Sequence, residues 1–233
     1  MIRRLACLLA VSAAALAAPA SLYAQNPPSE RDLKVYAGLH AAAANGDVAE
    51  IEKLVAAGER IELQDANSRT PLIVAAYRKQ IEAAKTLLRL GANPNALDID
   101  RFDILTIAAV NNDVELTKIA LAGGAKATNI TGPNDGTALI SAAHLGHVEI
   151  VKALIEAKAP LDHVNRFGWT ALIQAIVLGN GSKQHVEVVE ALVKAGADVD
   201  IKDRHGTTAL QHARSRGYTD MIPILEAASG RKT

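Results

Sequence analysis

The chain has 233 residues, of which 25 are Lys or Arg and 25 are Asp or Glu, so its formal charge at pH 7 is zero. This balance argues against a basic nucleic-acid-binding protein and against a protein held at an anionic membrane surface. Because Cys7 is the one cysteine, a framework of intramolecular disulfides is excluded.

Residues 1–24 have the pattern of a secretory signal peptide. Two arginines precede an Ala- and Leu-rich run over residues 5–18, and the small residues Ala20 and Ala24 offer cleavage positions. A membrane anchor is the alternative, but these 14 residues fall short of the roughly 20 that span a bilayer. We therefore predict a cleaved signal peptide, with the preferred cleavage after Ala24.

Cleavage would leave a chain suited to the bacterial periplasm. Without residues 1–24 it contains no cysteine, and 23 basic residues stand against 25 acidic ones. Such a chain has neither a disulfide nor a reactive thiol, and we expect no membrane association after cleavage. Residues 25–35, which contain Pro27 and Pro28, are predicted to form a flexible lead-in.

Residues 136–160 predict a helix, a tight turn and a second helix. Thr137 stands where its side-chain oxygen can cap the first helix, and Gly146 can end that helix in the left-handed conformation. Residues 148–155 then place their apolar side chains on one face of the second helix. Neither helix is long enough to be stable alone, so this unit must stack on others like it.

Similar units recur along the chain at a nearly constant spacing. Their first helices are predicted to begin at Ala37, Thr70, Asp103, Thr137, Thr170 and Thr208. The intervals between these positions are 33, 33, 34, 33 and 38 residues. A period near 33 residues is typical of a solenoid of stacked supersecondary units.

The repeated positions resemble those of the ankyrin-repeat family. The matching elements are Thr70-Pro71-Leu72, Ala75-Ala76, Ala142-Ala143, Gly146-His147, Gly91-Ala92, Gly124-Ala125 and Gly196-Ala197. The third repeat departs most, with Asp103-Ile104-Leu105 in place of Thr-Pro-Leu. The resemblance implies an all-α ankyrin-repeat solenoid of helix-turn-helix units with β-hairpin fingers. It would cover residues 36–228 in about six repeats, followed by a frayed tail over residues 229–233.

The fifth repeat carries five extra residues, 180–184, between its two helices, which accounts for the longer last interval. Longer surface loops cost little free energy, roughly 0.6 kcal/mol per doubling of length. We therefore expect this insert to lengthen the turn without packing on a neighbouring repeat.

The ionisable residues do not form a recognisable catalytic, cofactor or metal motif. His147 and His185 occupy the Gly-His position of the repeat, and His40 occupies the His of the Thr-Pro-Leu-His element, so we predict structural roles for all three. His144 and His147 lie three residues apart, but the sequence supplies no further ligand at a suitable spacing. The sequence therefore predicts a protein that is not an enzyme and binds no cofactor or metal ion.

By the resemblance, partners would contact the concave groove that the finger tips and the ends of the first helices form. Carried over to this chain, these positions are Tyr77, Arg78, Phe102, Val110, Leu145, Arg166, Phe167, Trp169, Val177, Leu178 and Arg204, with Arg69 beside them. Aromatic residues and Arg are enriched in binding hot spots. The alternative is that Phe167 and Trp169 only pack one finger on the next.

These observations favour a monomeric, non-catalytic module that binds a partner protein in the periplasm. Resemblance to exported bacterial ankyrin-repeat proteins suggests support of a stress-defence enzyme, or neutralisation of an antagonistic toxin in the manner of an immunity protein. A structural scaffold without a defined partner is a further alternative, and so is an enzyme built on the solenoid.

Overall fold

The computed structural model describes residues 25–230. The predicted signal peptide and residues 231–233 of the predicted tail lie outside the described residues. Within 25–230 the chain forms thirteen helices: α1 (Glu30–Val35), α2 (Gly38–Asn45), α3 (Val48–Ala56), α4 (Pro71–Tyr77), α5 (Ile81–Arg89), α6 (Ile104–Val110), α7 (Val114–Ala122), α8 (Ala138–Leu145), α9 (Val148–Glu156), α10 (Ala171–Val177), α11 (Lys183–Lys194), α12 (Ala209–Arg216) and α13 (Ile222–Ala228).

Helices α2 to α13 form six antiparallel pairs, which confirms the predicted solenoid. The first helices of the pairs pack on one another in one layer, and the second helices pack in another. The core lies between these layers and is rich in Ala, Leu and Ile. In the described part of the chain no helix is both long enough and apolar enough to cross a membrane.

Side-chain caps define where the first helices begin. In repeats two to six the hydroxyl or carboxylate of the predicted capping residue accepts a hydrogen bond from the amide three residues later; these residues are Thr70, Asp103, Thr137, Thr170 and Thr208. Asp103 therefore replaces the usual Thr without loss of the cap. The first repeat begins at Ala37, which offers no side-chain cap.

The fingers between repeats depend on Asx turns. One side-chain oxygen accepts hydrogen bonds from the amides two and four residues later at each of four residues: Asp65, Asp98, Asn165 and Asp203. Between residues 25 and 230 the β pairing consists of two isolated bridges, Thr131 with Gly136 and Lys202 with Thr208. The finger tips are thus held by side-chain-to-backbone hydrogen bonds together with backbone bonds across the same turns, such as the one from the amide of Asp65 to the carbonyl of Arg69.

Backbone hydrogen bonds also join consecutive fingers. The amide of Ile99 donates to the carbonyl of Asn67 over 2.9 Å, and the amide of Gly132 donates to the carbonyl of Arg101 over 2.8 Å. The amide of Arg166 donates to Asn134 over 3.0 Å. These bonds align the tips of fingers that come from different repeats.

In place of the flexible lead-in that we expected, residues 30–35 form helix α1. Ser29 accepts from the amide of Asp32, and the Asp32 carboxylate accepts from the amide of Ser29, so the two residues make a capping box. Pro28 is buried. This segment therefore packs on the solenoid.

The insert in the fifth repeat also differs from our expectation. Lys183, Gln184 and His185 extend α11 to 12 residues, whereas α3, α5, α7 and α9 each have nine. The hydroxyl of Tyr218 donates to the carbonyl of Gly179 over 3.0 Å, and a Cβ at Gly181 would lie 2.6 Å from the Tyr218 ring. The expectation that the insert does not pack on its neighbour was wrong, because the sixth repeat places Tyr218 against it.

Candidate functional site

The histidines at the Gly-His position join neighbouring repeats. His147 Nδ1 donates to the carbonyl of Ala109 over 2.8 Å, and His185 Nε2 donates to the carbonyl of His144 over 2.8 Å. In each case the acceptor lies at the end of the preceding repeat's first helix, where carbonyls lack partners within the helix. The predicted structural role of these two histidines is confirmed.

His40 also has a structural partner. Its Nε2 donates to the carbonyl of Arg69 over 2.9 Å and so joins α2 to the next finger. Across residues 25–230, no group of three or more His, Cys, Asp or Glu side chains is placed to hold a metal ion. Burial, with the charges that His185 and His147 would carry, lowers the pKa of His144 to about 4. At neutral pH its imidazole is therefore uncharged.

Phe102 is a core residue, so its assignment to the exposed groove was wrong. Its side chain is 1% exposed. The longer finger of the fourth repeat folds over it, and a Cβ at Gly132 would lie 3.2 Å from the phenyl ring. The aromatic ring thus holds this finger in place.

Arg69 is also buried, at 1% exposure, in place of the exposed position that we expected. Its Nε donates to Asp65 over 2.7 Å and its Nη2 donates to Asp32 over 2.9 Å, while Nη1 donates to the carbonyl of Asn26 over 3.1 Å. The hydroxyl of Tyr36 donates over 2.6 Å to Asp65 Oδ2, the same oxygen that accepts from Arg69 Nε. Burial raises the pKa of Asp65, but the hydrogen bonds from Tyr36 and Arg69 outweigh it and hold that pKa below its usual value.

The remaining candidates of repeats two and three differ in exposure. Tyr77 is half-buried, and its hydroxyl donates to Asp98 Oδ2 over 2.6 Å, so its polar end is occupied by the adjoining finger. Arg78 is exposed and Val110 is half-buried.

The candidates on the fifth and sixth fingers lie together; we call Arg166, Phe167, Trp169 and Arg204 the finger cluster. The rings of Phe167 and Trp169 stack with centroids 5.4 Å apart, and both residues are half-buried. Gly168 between them has φ +83°, and a Cβ there would lie 2.6 Å from the Cγ of Arg204. Arg204 therefore packs directly over the turn that carries the two aromatic rings.

The cluster has a charged rim. Arg166 Nε donates to Asp135 Oδ2 over 2.7 Å, which joins the fifth finger to the fourth, and the side chains of Arg166 and Arg204 are exposed. The stack lies within the fifth finger and covers part of each ring, whereas the contact of Arg204 with the turn at Gly168 joins this finger to the next. Since both residues also remain partly exposed, they still offer an apolar surface beside two guanidinium groups.

A second set of candidates lies at the opposite end of the first helices; we call Leu145, Val177 and Leu178 the helix-end cluster. Leu145 is 36% exposed, and the other two are half-buried. Arg216 Nη2 donates to the carbonyl of Val177 over 3.3 Å. Because α10 separates Trp169 from Leu178, the two clusters are about 13 Å apart at 1.5 Å per helical residue. A partner that contacts both must lie across the first-helix layer.

Comparison with known proteins agrees with this architecture. The family described as ankyrin repeats (3 copies) matches residues 20–98 and 105–203, and the family described as ankyrin repeats (many copies) matches residues 181–226. The ankyrin repeat protein YahD of Escherichia coli (strain K12) is 30% identical over 188 residues, which are 80% of this chain and 93% of that protein.

Two solved structures are also similar. An ankyrin repeat domain from Acinetobacter baumannii AYE is 40% identical with a TM-score of 0.79, and the match covers 82% of this chain and 96% of that one. A chain from the complex of a Bdellovibrio bacteriovorus predatory endopeptidase with an immunity protein is 25% identical with a TM-score of 0.68. That match covers 82% of this chain and 98% of the other.

Proposed function

The chain belongs to the ankyrin-repeat family, and from that premise we propose that it is a non-catalytic module that binds a partner protein in the periplasm. Ankyrin repeat domains typically mediate binding between proteins and generally act as scaffolds without catalytic activity. The groove of repeats four to six, formed by the finger cluster and the helix-end cluster, is the proposed contact surface.

The finger cluster is the observation that carries this proposal. It combines two partly exposed aromatic residues, Phe167 and Trp169, with the exposed side chains of Arg166 and Arg204. Binding interfaces commonly have an apolar, aromatic centre and a polar rim, and their hot spots are enriched in Trp, Tyr and Arg.

The proposed compartment follows from the sequence pattern of residues 1–24. Mass spectrometry of the protein from its own host is expected to find an N-terminus at Gln25 or Ser21. An intact Met1 on a cytoplasmic protein would contradict export and would leave the binding proposal standing.

Two roles fit such a module, namely support of a stress-defence enzyme and neutralisation of a periplasmic toxin. The second is favoured by the similarity to a chain in the complex of an endopeptidase with an immunity protein. The identity of a captured partner separates these roles, because the first requires a host enzyme and the second requires an antagonistic one.

The test is quantitative capture from periplasmic extract with wild-type protein and with a Trp169→Ala, Leu178→Ala double variant. Truncation of a central hot spot costs about 2 kcal/mol, which is roughly a thirtyfold loss of affinity for the captured protein. Leu63→Ala is the control, because Leu63 is 40% exposed and lies in the first repeat. Full binding by a stably folded double variant would place the interface elsewhere on the protein.

A further inference from the structure

We propose that the groove of repeats one to three contains a second peptide-binding site, centred on Arg69, that the chain's own residues 25–36 occupy. The ligand class is a peptide that supplies a carboxylate to Arg69, as Asp32 of α1 does in this structure. This proposal deepens the proposed function and rests on it for the identity of the competing partner, whereas the site itself is defined by contacts within the chain.

Residues 25–36, which we call the N-terminal segment, contact three successive repeats. Gln25 Oε1 accepts from Asn111 Nδ2 at the end of α6, over 2.9 Å. Asn26 and Asp32 both accept from Arg69, which precedes α4, and Tyr36 donates to Asp65 beside it. The ring of Tyr36 also lies 5.2 Å from that of His40 in α2. The segment therefore crosses the first-helix layer, from the end of the third repeat's first helix to the finger before the second repeat and on to the first repeat.

The chemistry of the site is suited to a carboxylate. Within the guanidinium group Asp65 accepts only from Nε, so the two terminal nitrogens take their acceptors from the N-terminal segment. The planar guanidinium group presents these donors in a fixed fork that matches carboxylate oxygens. Because the segment itself covers Arg69, its departure would expose the two terminal nitrogens and leave Asp65 as the ionic partner of the guanidinium group. An incoming acidic peptide would supply acceptors to Arg69 in place of the Asn26 carbonyl and the Asp32 carboxylate.

The N-terminal segment has the properties of a replaceable ligand. Helix α1 has six residues, too few to be stable by itself, and it contains no buried residue. The segment is held mainly by its polar contacts and by Pro28. Gln25 Nε2 is buried without a hydrogen-bond partner among residues 25–230, so this end of the segment is incompletely satisfied. A better-matched peptide would therefore gain free energy by displacing it.

The first measurement is hydrogen exchange in the full chain. Asp32→Ala removes the carboxylate that contacts Arg69 and with it one bond of the capping box. Ser29→Ala is the matched control for the cap, because it removes the other capping bond and leaves the Arg69 contact, and it should accelerate exchange less than Asp32→Ala does. Glu30→Ala is the control for charge, because it removes an exposed carboxylate from the same helix. The amides of Leu33 and Tyr36 report on α1, since they donate to Ser29 and Asp32 within the segment. We expect their exchange to accelerate about tenfold or more in Asp32→Ala and to change less than about threefold in Glu30→Ala.

The second measurement supplies the N-terminal segment as a separate ligand. A fluorescent peptide QNPPSERDLKVY, residues 25–36, is titrated into wild-type, Asp32→Ala and Glu30→Ala proteins. We expect it to bind Asp32→Ala at least about tenfold more tightly than the other two, and we expect a peptide with Asp32→Asn to lose this binding. Circular dichroism verifies the fold, and Asp32→Asn in the chain repeats the test if the alanine variant is unstable.

Unchanged exchange in Asp32→Ala would overturn the proposal. So would equal peptide binding by all three proteins, or no binding by Asp32→Ala. The experiment contains no partner protein and does not involve the finger cluster or the helix-end cluster. Its failure is therefore distinct from a failure of the capture experiment on repeats four to six.

Discussion

Replacement of Arg69 by Met is expected to cost about 3 kcal/mol of stability. Removing one member of a buried ion pair costs about 3–5 kcal/mol, because the other charge is left uncompensated. Here Asp65 would keep hydrogen bonds from the amides of Asn67 and Arg69 and from Tyr36, which places the loss at the lower end of that range. The methionine retains much of the apolar volume, so the effect reports the lost charge rather than a cavity.

Urea denaturation followed by circular dichroism measures this loss, with Arg89→Met as the control. Arg89 forms its ion pair with Glu52 at the surface, where the side chains are 59% and 50% exposed, and such pairs contribute at most about 1 kcal/mol. A cost for Arg69→Met no larger than that for Arg89→Met would refute the argument that the Arg69 cluster is a buried ionic core.

The pH dependence of the free energy of unfolding gives a second test of the Arg69→Met prediction. Since the pKa of Asp65 is lowered in the folded protein, its carboxylate contributes stability at neutral pH that is lost as the pH falls below about 4. In Arg69→Met that pKa is expected to rise. The difference in stability between wild type and variant should therefore shrink as the solution is acidified through this range.

Two further predictions follow from other parts of the chain. Deletion of residues 180–184 is expected to lower the melting temperature, because it removes packing against Tyr218. Tyr218→Phe removes only the hydrogen bond to Gly179 and should lower the free energy of unfolding by about 1 kcal/mol. An unchanged melting temperature after the deletion would show that this contact is not stabilising. His144 has a pKa lowered to about 4 in the folded protein, so unfolded chains bind its proton more readily and stability should fall as the pH drops from about 6.5 to about 4. His144→Gln should flatten this dependence in thermal melts, and an unchanged dependence in that variant would refute the assignment to His144.

The sequence by itself determined the repeat architecture, because the signals that encode it act over short distances. A capping side chain such as Thr137 bonds an amide three residues away, and Gly146 ends the same helix through its own left-handed backbone. Repetition of these local signals at a period near 33 residues was sufficient to predict six stacked helix pairs. The roles of His147 and His185 were predictable for the same reason, since the repeat pattern identified both as turn residues.

Which groove positions are exposed was decided only by the tertiary structure. Phe102 is covered because the fourth finger is long enough to fold over it, and Arg69 is buried by an N-terminal segment whose Asp32 lies 37 residues away. Likewise, Tyr218 meets the carbonyl of Gly179 across a separation of 39 residues. Such contacts depend on how neighbouring repeats stack and on what packs against the end of the solenoid. A local sequence pattern carries no information about the stacking of repeats or about what packs against the end of the solenoid. For that reason, the same position of the ankyrin repeat can lie at the surface in one repeat and in the core in the next.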